Sequence, residues 1–227
     1  SLIAEGFSFP IPKGYLYAAI GFSVMIESFN QLAIFNRRRF LSANLTLRQI
    51  GLADRLCELA AERGLPVDLH CDESDDPYSR HVETLAFETQ RLGLHGRVTG
   101  SHLTSMHSMD NYYVSKLLPL MVEAGLHVVA NPLINITLQG RHDSYPKRRG
   151  MTRVPELLAH GVNVAFGHDC VMDSWYSLGS ADMLEVAHMG LHVAQMTSQD
   201  GMRDCFDAVT TRAARADVQN ANLSPAL

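Results

Sequence analysis

The sequence has few cysteines, and their arrangement excludes two kinds of structural scaffold. Its four cysteines are far apart, and no two of them form a CxxC pair. A disulfide framework or a structural zinc knuckle requires closely paired cysteines, so neither is expected here. We therefore expect the protein to work in a reducing compartment, the cytoplasm.

The sequence also lacks a long apolar run and a dense basic patch. Its most apolar early stretch, residues 14–26, is too short for a membrane-spanning helix and ends at Glu27. No charged segment precedes it, so it does not look like a secretion signal. The formal charge of −5, with only two basic triplets, argues against binding to a nucleic-acid backbone. These absences favour a small-molecule substrate and predict no membrane or nucleic-acid partner.

Four short apolar runs recur through the middle of the chain, and each closes on a residue that can bind a metal or a proton. They end at His70, His102, Asn131 and Asp169, at intervals of 32, 29 and 38 residues. Such an interval is the length of one strand and helix unit, which places the closing residues at the C-terminal ends of parallel strands. The pattern indicates an enzyme, and more specifically a metal-dependent hydrolase.

Segments with helical periodicity alternate with these runs and indicate an α/β fold with a parallel sheet. The predicted helices are residues 45–63, 79–93, 110–124, 152–160, 181–195 and 200–214. Metal-ligand residues at successive strand ends favour a (β/α)8 TIM barrel over an open sheet. Four clear strands are too few to close it, so we assign residues 45–217 to an incomplete catalytic barrel segment. Residues 1–44 could hold early strands near positions 7–9 and 32–35, and residues 218–227 are assigned to a tail.

The segment His70-Cys-Asp-Glu73 carries the densest site signal. A histidine at a strand end can hold a divalent cation, and a glutamate three residues later can reach the water on that cation. Taken alone, such a histidine is as often structural, bonded to a backbone carbonyl. Asp169 at a later strand end favours the metal site, because it would add a carboxylate ligand.

Other histidines give weaker signals. His102 closes a strand and could polarise the attacking water or the leaving group. His107 lies in the loop after that strand, where a solvent-exposed histidine is the simpler interpretation. His188 and His192 have the i, i+4 spacing that can bind zinc on a helix, but no HExxH glutamate accompanies them.

Five motifs that occur in order resemble those of the bacterial cytosine deaminases of the amidohydrolase superfamily. The resemblance extends from about residue 51 to about residue 195. The motifs are His70-Cys-Asp-Glu73, Ser101-His102 with His107-Ser108, Ala130-Asn-Pro-Leu-Ile-Asn135 with Gln139-Gly-Arg141, Tyr145-Pro-Lys-Arg-Arg-Gly150, and Phe166-Gly-His-Asp169 with Asp173, Trp175 and Tyr176.

This resemblance implies a (β/α)8 barrel with a small β-sandwich and one catalytic divalent ion, Fe²⁺ or Zn²⁺. His70 would be a metal ligand, and Glu73 would be the general acid and base that carries a proton from water to a ring nitrogen. His102 would orient and activate the nucleophile. Asp169 would be both a carboxylate ligand and a proton acceptor, and Trp175 would form a wall of the base pocket.

The chain departs from the family pattern at three places. No histidine precedes His70, so the paired HxH ligands of the family are absent, which leaves only His70 and Asp169 as expected ligands. Ile11 stands where the family has a glutamine that binds the pyrimidine amide. Cys170 replaces a second aspartate near the ring, a change that should alter which heterocycle is accepted. Ile11 and Cys170 are therefore the predicted specificity positions.

These observations predict a metal-dependent deaminase of a cytosine-like heterocycle. Isoguanine or another purine, a modified pyrimidine and a triazine stay open as substrates. The alternative from another class is a catalytically inactive remnant that serves as an assembly or binding subunit. A phosphate-binding barrel is disfavoured because the late loops lack a glycine-rich phosphate site. An incomplete barrel exposes strand edges that further sequence or a partner subunit should cover, and a homo-oligomer is the expected partner.

Overall fold

The computed structural model describes the backbone of residues 45–221 and the side chains of residues 51–216. The chain divides into two units, residues 1–48 and residues 49–227, and the sheet lies in the second unit. Ile11 and the candidate strands near positions 7–9 and 32–35 lie outside the described residues. The predictions made for them are therefore untested.

Four parallel strands form one sheet and confirm the four strands predicted from the apolar runs. They are β1 (Val67–Cys71), β2 (Val98–His102), β3 (His127–Ala130) and β4 (Asn163–Phe166). Their order in the sheet is the same as their order in the chain, and every neighbouring pair is parallel. Parallel neighbours in chain order, each joined by a helical connection, are the repeating unit of a (β/α) barrel. The described part is thus consistent with a partial TIM barrel.

Helices connect and cover these strands. They are α1 (Leu45–Arg63), α2 (His81–Arg91), α3 (Asn111–Ala124), α4 (Pro132–Leu138), α5 (Val154–Ala159), α6 (Met183–Val193), α7 (Gln199–Ala208) and α8 (Thr211–Ala221), with a 3₁₀ turn at Thr104–His107. Within residues 45–221, none of the helices combines the length and apolar character that crossing a bilayer requires.

Two predicted helix starts are wrong. Ser79 does not cap α2, which begins after Arg80 without a side-chain cap, because the Ser79 hydroxyl donates instead to Asp72. The helix predicted to begin at Thr152 starts at Val154, again without a side-chain cap. The helix predicted to begin at Asp110 starts at Asn111, and Asp110 is its cap, since its carboxylate accepts from the backbone amides of Tyr112 and Tyr113.

The helix predicted over residues 200–214 is two helices, α7 and α8, separated at Val209 and Thr210. Both residues are β-branched, so they lose side-chain freedom against a preceding helical turn. The second helix continues to Ala221 and so includes residues 218–221 of the predicted tail. The seven-residue α4 is not predicted, because it comes directly after β3 and is too short to show helical periodicity.

A core of aliphatic side chains fills the space between the sheet and its helices. Leu85 of α2 and Leu117 of α3 are at most 1% exposed, and so are Val98, Val128 and Val164 of the strands. Each such side chain contributes about 1.5–3 kcal/mol when it leaves water. This packing fixes the positions of the strands, and with them the edge at which the strands end.

Gly190 marks the tightest contact between a helix and the sheet. A Cβ atom built on this residue of α6 would lie 2.3 Å from Cε2 of Phe166, the last residue of β4. Any larger residue would therefore push the Phe166 ring, and the loop after β4 begins one residue later. The close approach of α6 to β4 requires glycine.

We expect Gly190→Ala to lower the free energy of unfolding by about 1–3 kcal/mol, because the added methyl group overpacks against Phe166. The matched control is Gly51→Ala in α1, where nothing lies within 4 Å of the new Cβ. That change should stabilise the helix by roughly 0.5–1 kcal/mol. Urea unfolding monitored by circular dichroism measures both. A Gly190→Ala variant as stable as the unaltered chain would contradict this packing.

Candidate metal centre

Three potential metal ligands meet at the C-terminal edge of the sheet. His70 lies near the end of β1, His102 closes β2, and Asp169 comes after β4. Each offers one ligand atom, and these atoms all lie within 4.8 Å of one another. The structure thus brings together the two residues predicted as ligands and adds His102 beside them.

The chemistry of this donor set fits a first-row divalent cation. Two imidazole nitrogens and one carboxylate oxygen are ligand types that zinc and ferrous iron accept. The rings of His70 and His102 are edge to face, with centroids 4.6 Å apart. His70 and Asp169 are exposed whereas His102 is fully buried, so the cluster is open on one side.

The backbone is strained where it leaves the strands. His102 and Asp169 have φ angles of 73° and 66°, and Asp72 and Leu103 also have positive φ. The left-handed region costs a non-glycine residue about 1–2 kcal/mol. Such strain persists only where the surrounding structure holds it, and it clusters at functional sites. Here the positive φ angles let the side chains of His102 and Asp169 come together at the C-terminal ends of the strands.

Two asparagines hold the His102 ring, and sequence reasoning assigned them no role. The Asn135 side-chain amide lies 3.0 Å from His102 Nδ1, and the Asn131 amide lies 3.3 Å from the ring nitrogens. The Asn135 Oδ1 atom accepts from the Asn131 backbone amide, which turns its NH₂ group towards His102. Nδ1 therefore accepts a hydrogen bond, and the proton of the neutral ring is on Nε2, the atom 4.0 Å from Asp169.

Burial keeps the His102 ring neutral. Removal from water lowers the pKa of His102 to about 4, although the nearby Asp169 carboxylate opposes this effect. A neutral ring with its proton on Nε2 can donate a hydrogen bond to a nucleophilic water, whereas its Nδ1 lone pair is already used by Asn135. The ring is therefore in the useful protonation state at neutral pH.

Glu73 approaches the same histidine from the loop after β1. Its Oε1 atom lies 3.3 Å from His102 Nδ1, and its side chain is partly exposed. Glu73 thus lies beside the buried histidine of the cluster and is still reached by solvent. Its predicted catalytic role stays a prediction, but its position is compatible with that role.

His168 anchors the loop that carries Asp169. This histidine is buried, its Nδ1 donates to the Cys170 carbonyl at 2.8 Å, and its Nε2 accepts from the Ala181 amide at 3.1 Å. Gly179 lets the loop fold tightly here, because a Cβ at this position would lie 2.3 Å from the Cys170 carbonyl oxygen. His168 therefore joins both ends of the loop that contains Asp169.

The specificity position Cys170 and the predicted pocket residue Trp175 lie in this loop. Cys170 is buried, its Sγ lies 3.7 Å from Asp169 Oδ2, and burial raises the pKa of the Cys170 thiol to about 12. A neutral thiol thus stands beside the carboxylate. Trp175 is 52% exposed, and its backbone amide donates to Asp173. The role of Trp175 as a pocket wall stays a prediction.

His107 is not the exposed loop residue that the sequence suggested. Its side chain is 9% exposed, and its Nε2 lies 3.1 Å from Asp75 Oδ1. Burial lowers the pKa of His107, while Asp75 raises it and Arg148 lowers it further. Asp75 also accepts from the Gly140 amide, so this group joins the loop after β1 to the segment after α4.

His188 and His192 form an exposed pair on the surface of α6. Their ring centroids are 4.4 Å apart, and His192 Nδ1 donates to the His188 carbonyl. They are separate from the three ligand atoms at the sheet edge. Metal-binding measurements on this chain must therefore take account of them.

Comparison with known proteins identifies a family. The model of the Amidohydrolase family matches residues 32–217. Among solved structures, the crystal structure of 5-methylcytosine deaminase from Klebsiella pneumoniae has 44% sequence identity and a TM-score of 0.73, covering 76% of this chain and 42% of that one. The pterin deaminase of Rhizobium rhizogenes is 34% identical over 144 residues, which cover 63% of this chain and 33% of the relative.

A relative of another kind also matches. The UPF0053 protein in the cps region of Klebsiella pneumoniae is 50% identical over 121 residues, 51% of this chain and 38% of the relative. The chain therefore spans between about a third and two fifths of the length of these relatives.

Metal affinity tests the ligand assignment. We expect His70→Ala and Asp169→Asn each to weaken Zn²⁺ binding at least about tenfold, since each removes one of few protein ligands. The measurement is chelator competition in a His188→Ala/His192→Ala background, which removes the exposed pair. His95→Ala is the matched control, because His95 is exposed. Equal affinities for the His70→Ala variant and the control would refute the assignment.

The lowered pKa of His102 predicts a pH-dependent stability of the metal-free chain. In the unfolded chain the ring takes up a proton near its ordinary pKa of 6.5, whereas the folded chain resists this until about pH 4. The stabilisation is present above pH 6.5 and is lost as the pH falls through about 4, a change of roughly 2–3 kcal/mol. His102→Asn should lack this dependence, and His95→Asn should keep it. Urea unfolding at a series of pH values with a chelator present measures the difference, and parallel curves for the unaltered chain and His102→Asn would contradict it.

Proposed function

Because the chain belongs to the amidohydrolase family, we propose that it hydrolyses the exocyclic C–N bond of a cytosine-like amino heterocycle and releases ammonia. The observation that carries this proposal is the convergence of His70, His102 and Asp169 at one sheet edge, with Glu73 in contact with His102. The 44% identity to a solved protein named 5-methylcytosine deaminase supports the same class of substrate.

The metal ion is assigned to His70 and Asp169, with His102 beside it. When bound, a divalent ion such as Zn²⁺ or Fe²⁺ supplies Lewis acidity, which lowers the pKa of a water from about 15.7 to about 7. His70 is exposed and the Asp169 side chain is partly exposed, so a cation and a substrate can reach the cluster. The roles of the protein residues are the same for either metal.

His102 orients the nucleophilic water. Because Asn135 donates to Nδ1, the proton on Nε2 is directed to the side where Asp169 lies, 4.0 Å away. A water between these two groups can accept from His102 and donate to the Asp169 carboxylate. His102 therefore orients the water, one proton of which passes to Asp169 and from there to the departing amino group, while the other passes to Glu73.

Glu73 moves a proton to the heterocycle. Loss of ammonia from an amidine-like carbon requires protonation of a ring nitrogen, which a carboxylic acid within reach of the ring can provide. Glu73 can serve both water and substrate, since its side chain is only partly buried and lies in a loop. The same residue can thus act as base first and as acid afterwards.

Two positions near Asp169 would select the heterocycle. The Cys170 thiol is uncharged and cannot replace the hydrogen-bond acceptor that a second aspartate provides in the cytosine deaminases it resembles. A substrate with a methyl group or another apolar substituent at the facing ring position is therefore favoured over one with a hydrogen-bond donor there. Trp175, half exposed in the same loop, offers a flat surface for stacking.

Two alternatives have specific support. A bicyclic amino heterocycle, such as isoguanine or another purine, is favoured by the 34% identity to a protein named pterin deaminase. A catalytically inactive binding subunit is the alternative from another class, because only His70 and Asp169 are assigned as metal ligands among the described residues. A bicyclic substrate keeps the proposed role of every residue. An inactive binding subunit would catalyse no reaction.

Two further proposals concern the cellular compartment and the oligomeric state of the protein. All four cysteines are free and buried, which supports a reducing compartment such as the cytoplasm. In the described sheet β1 and β4 each pair with one strand only, which supports a homo-oligomer or another segment that covers these edges. Size-exclusion chromatography with light scattering separates these two possibilities.

Substitution of Glu73 tests the reaction. We expect Glu73→Gln to reduce ammonia release from cytosine and 5-methylcytosine about 10²–10⁴-fold, because it removes the group that transfers protons. Zn²⁺ affinity should not change, since Glu73 is not a ligand. Glu123→Gln, at an exposed position of α3, is the matched control and should keep full activity. Equal activity of Glu73→Gln and the control would refute the role of Glu73, and an inactive but metal-loaded unaltered chain would favour the binding subunit.

A further inference from the structure

We infer that Asp72 is a positioning residue for Glu73, and that His81 is the side chain that fixes Asp72. The inference rests on the proposed function and deepens it, because it explains how a glutamate in a loop is held at the reaction site. Asp72 lies between the last residue of β1 and Glu73. His81, nine residues later, is the first residue of α2.

The Asp72 carboxylate is fully buried and accepts four hydrogen bonds. Its Oδ1 accepts from the His81 backbone amide at 2.9 Å, from His81 Nδ1 at 2.6 Å and from the Ser79 hydroxyl at 2.9 Å. Its Oδ2 accepts from the Val82 amide at 2.8 Å. A carboxylate with four partners in a buried position has a single favourable orientation.

The backbone carbonyl of Asp72 is held as firmly as its side chain. It accepts from the Ser74 amide at 2.9 Å, from the Ser105 amide at 3.0 Å and from the Thr104 hydroxyl at 3.0 Å. Ser105 and Thr104 belong to the 3₁₀ turn just after His102. Asp72 therefore joins the loop that carries Glu73 to the loop that leaves His102, the residue that Glu73 contacts.

The backbone conformation of Asp72 lets its own side chain and that of Glu73 point to different parts of the protein. Its φ of 54° is in the left-handed region, and the hydrogen bonds to both its carboxylate and its carbonyl hold it there. The Asp72 side chain turns inward to the start of α2, whereas Glu73 lies with Oε1 3.3 Å from His102 Nδ1. If Asp72 were released, the chain could relax from this strained conformation and move Glu73 away from the site.

A purely structural role is the competing explanation. The carboxylate satisfies the first two backbone amides of α2, a function that Ser79 or Arg80 does not perform. Loss of His81 Nδ1 would leave these two backbone hydrogen bonds in place. Substitutions at His81 therefore loosen the orientation of the carboxylate without removing the helix cap.

The test compares His81→Ala with His81→Asn by steady-state kinetics of ammonia release. We expect His81→Ala to lower kcat roughly 10- to 100-fold with KM within about threefold, because a misplaced proton donor affects the chemical step more than binding. His81→Asn should recover most of kcat, since an asparagine NH₂ group can occupy the place of Nδ1. Leu85→Ala, at a fully buried core position of α2, controls for loss of stability and should keep kcat.

The outcomes distinguish this inference from the proposed function. A His81→Ala kcat within twofold of the unaltered chain, or no better recovery by His81→Asn, would overturn the positioning role. If the unaltered chain releases no ammonia, the proposed function fails and amide hydrogen exchange decides the positioning role instead. Faster exchange at Ser74 and Ser105 in His81→Ala than in Leu85→Ala would then support it, and equal exchange would overturn it.

Discussion

The candidate site depends on the in-register pairing of parallel strands. His70 of β1 pairs with Ser101 of β2, and Cys71 pairs with His102, so the two histidines are offset by a single residue at the same edge. In two regular strands this offset would place the two side chains on opposite faces of the sheet. The left-handed backbone of His102, the last residue of β2, instead lets its ring turn to His70. Because β3 and β4 continue the same arrangement, Asp169 emerges after β4 at the same edge. The convergence of ligand atoms therefore depends on strand pairing together with the positive φ angles of His102 and Asp169.

Around this edge, three buried polar residues each hold a site residue or its loop in place through hydrogen bonds. Asp72 holds the chain beside Glu73, Asn135 holds the ring of His102, and His168 holds the loop of Asp169. None of the three is among the ligand atoms of the cluster, and each is bonded to at least one group from another part of the chain. Their hydrogen bonds offset the strain of the left-handed residues that leave the strands. A reacting geometry that must be accurate to a fraction of an ångström requires support of this kind.

The sequence predicts the strands, most of the helices and the residues that meet at the sheet edge, because these depend on local periodicity and on strand ends. It does not predict the partners of those residues. Ser79 looks like a helix cap, yet its hydroxyl donates to Asp72, and no local rule anticipates a carboxylate that reaches α2 from nine residues away. Asn131 could have been inferred as a partner because it closes a strand run. Asn135 could not, because its place depends on α4, a helix too short to show a period.

The hydrogen bonds of the protein organise the ligand cluster. His102 is buried and neutral, its ring is held by amide groups, and the loop of Asp169 is closed by His168. In a structural zinc site the ion itself supplies the folding energy, and four protein ligands enclose it. Here the hydrophobic core and the hydrogen bonds behind the ligands fix their arrangement, and His70 and Asp169 stay exposed on the open side. A cluster supported from behind by the chain, with an open side, fits the proposed catalytic site better than a structural zinc site.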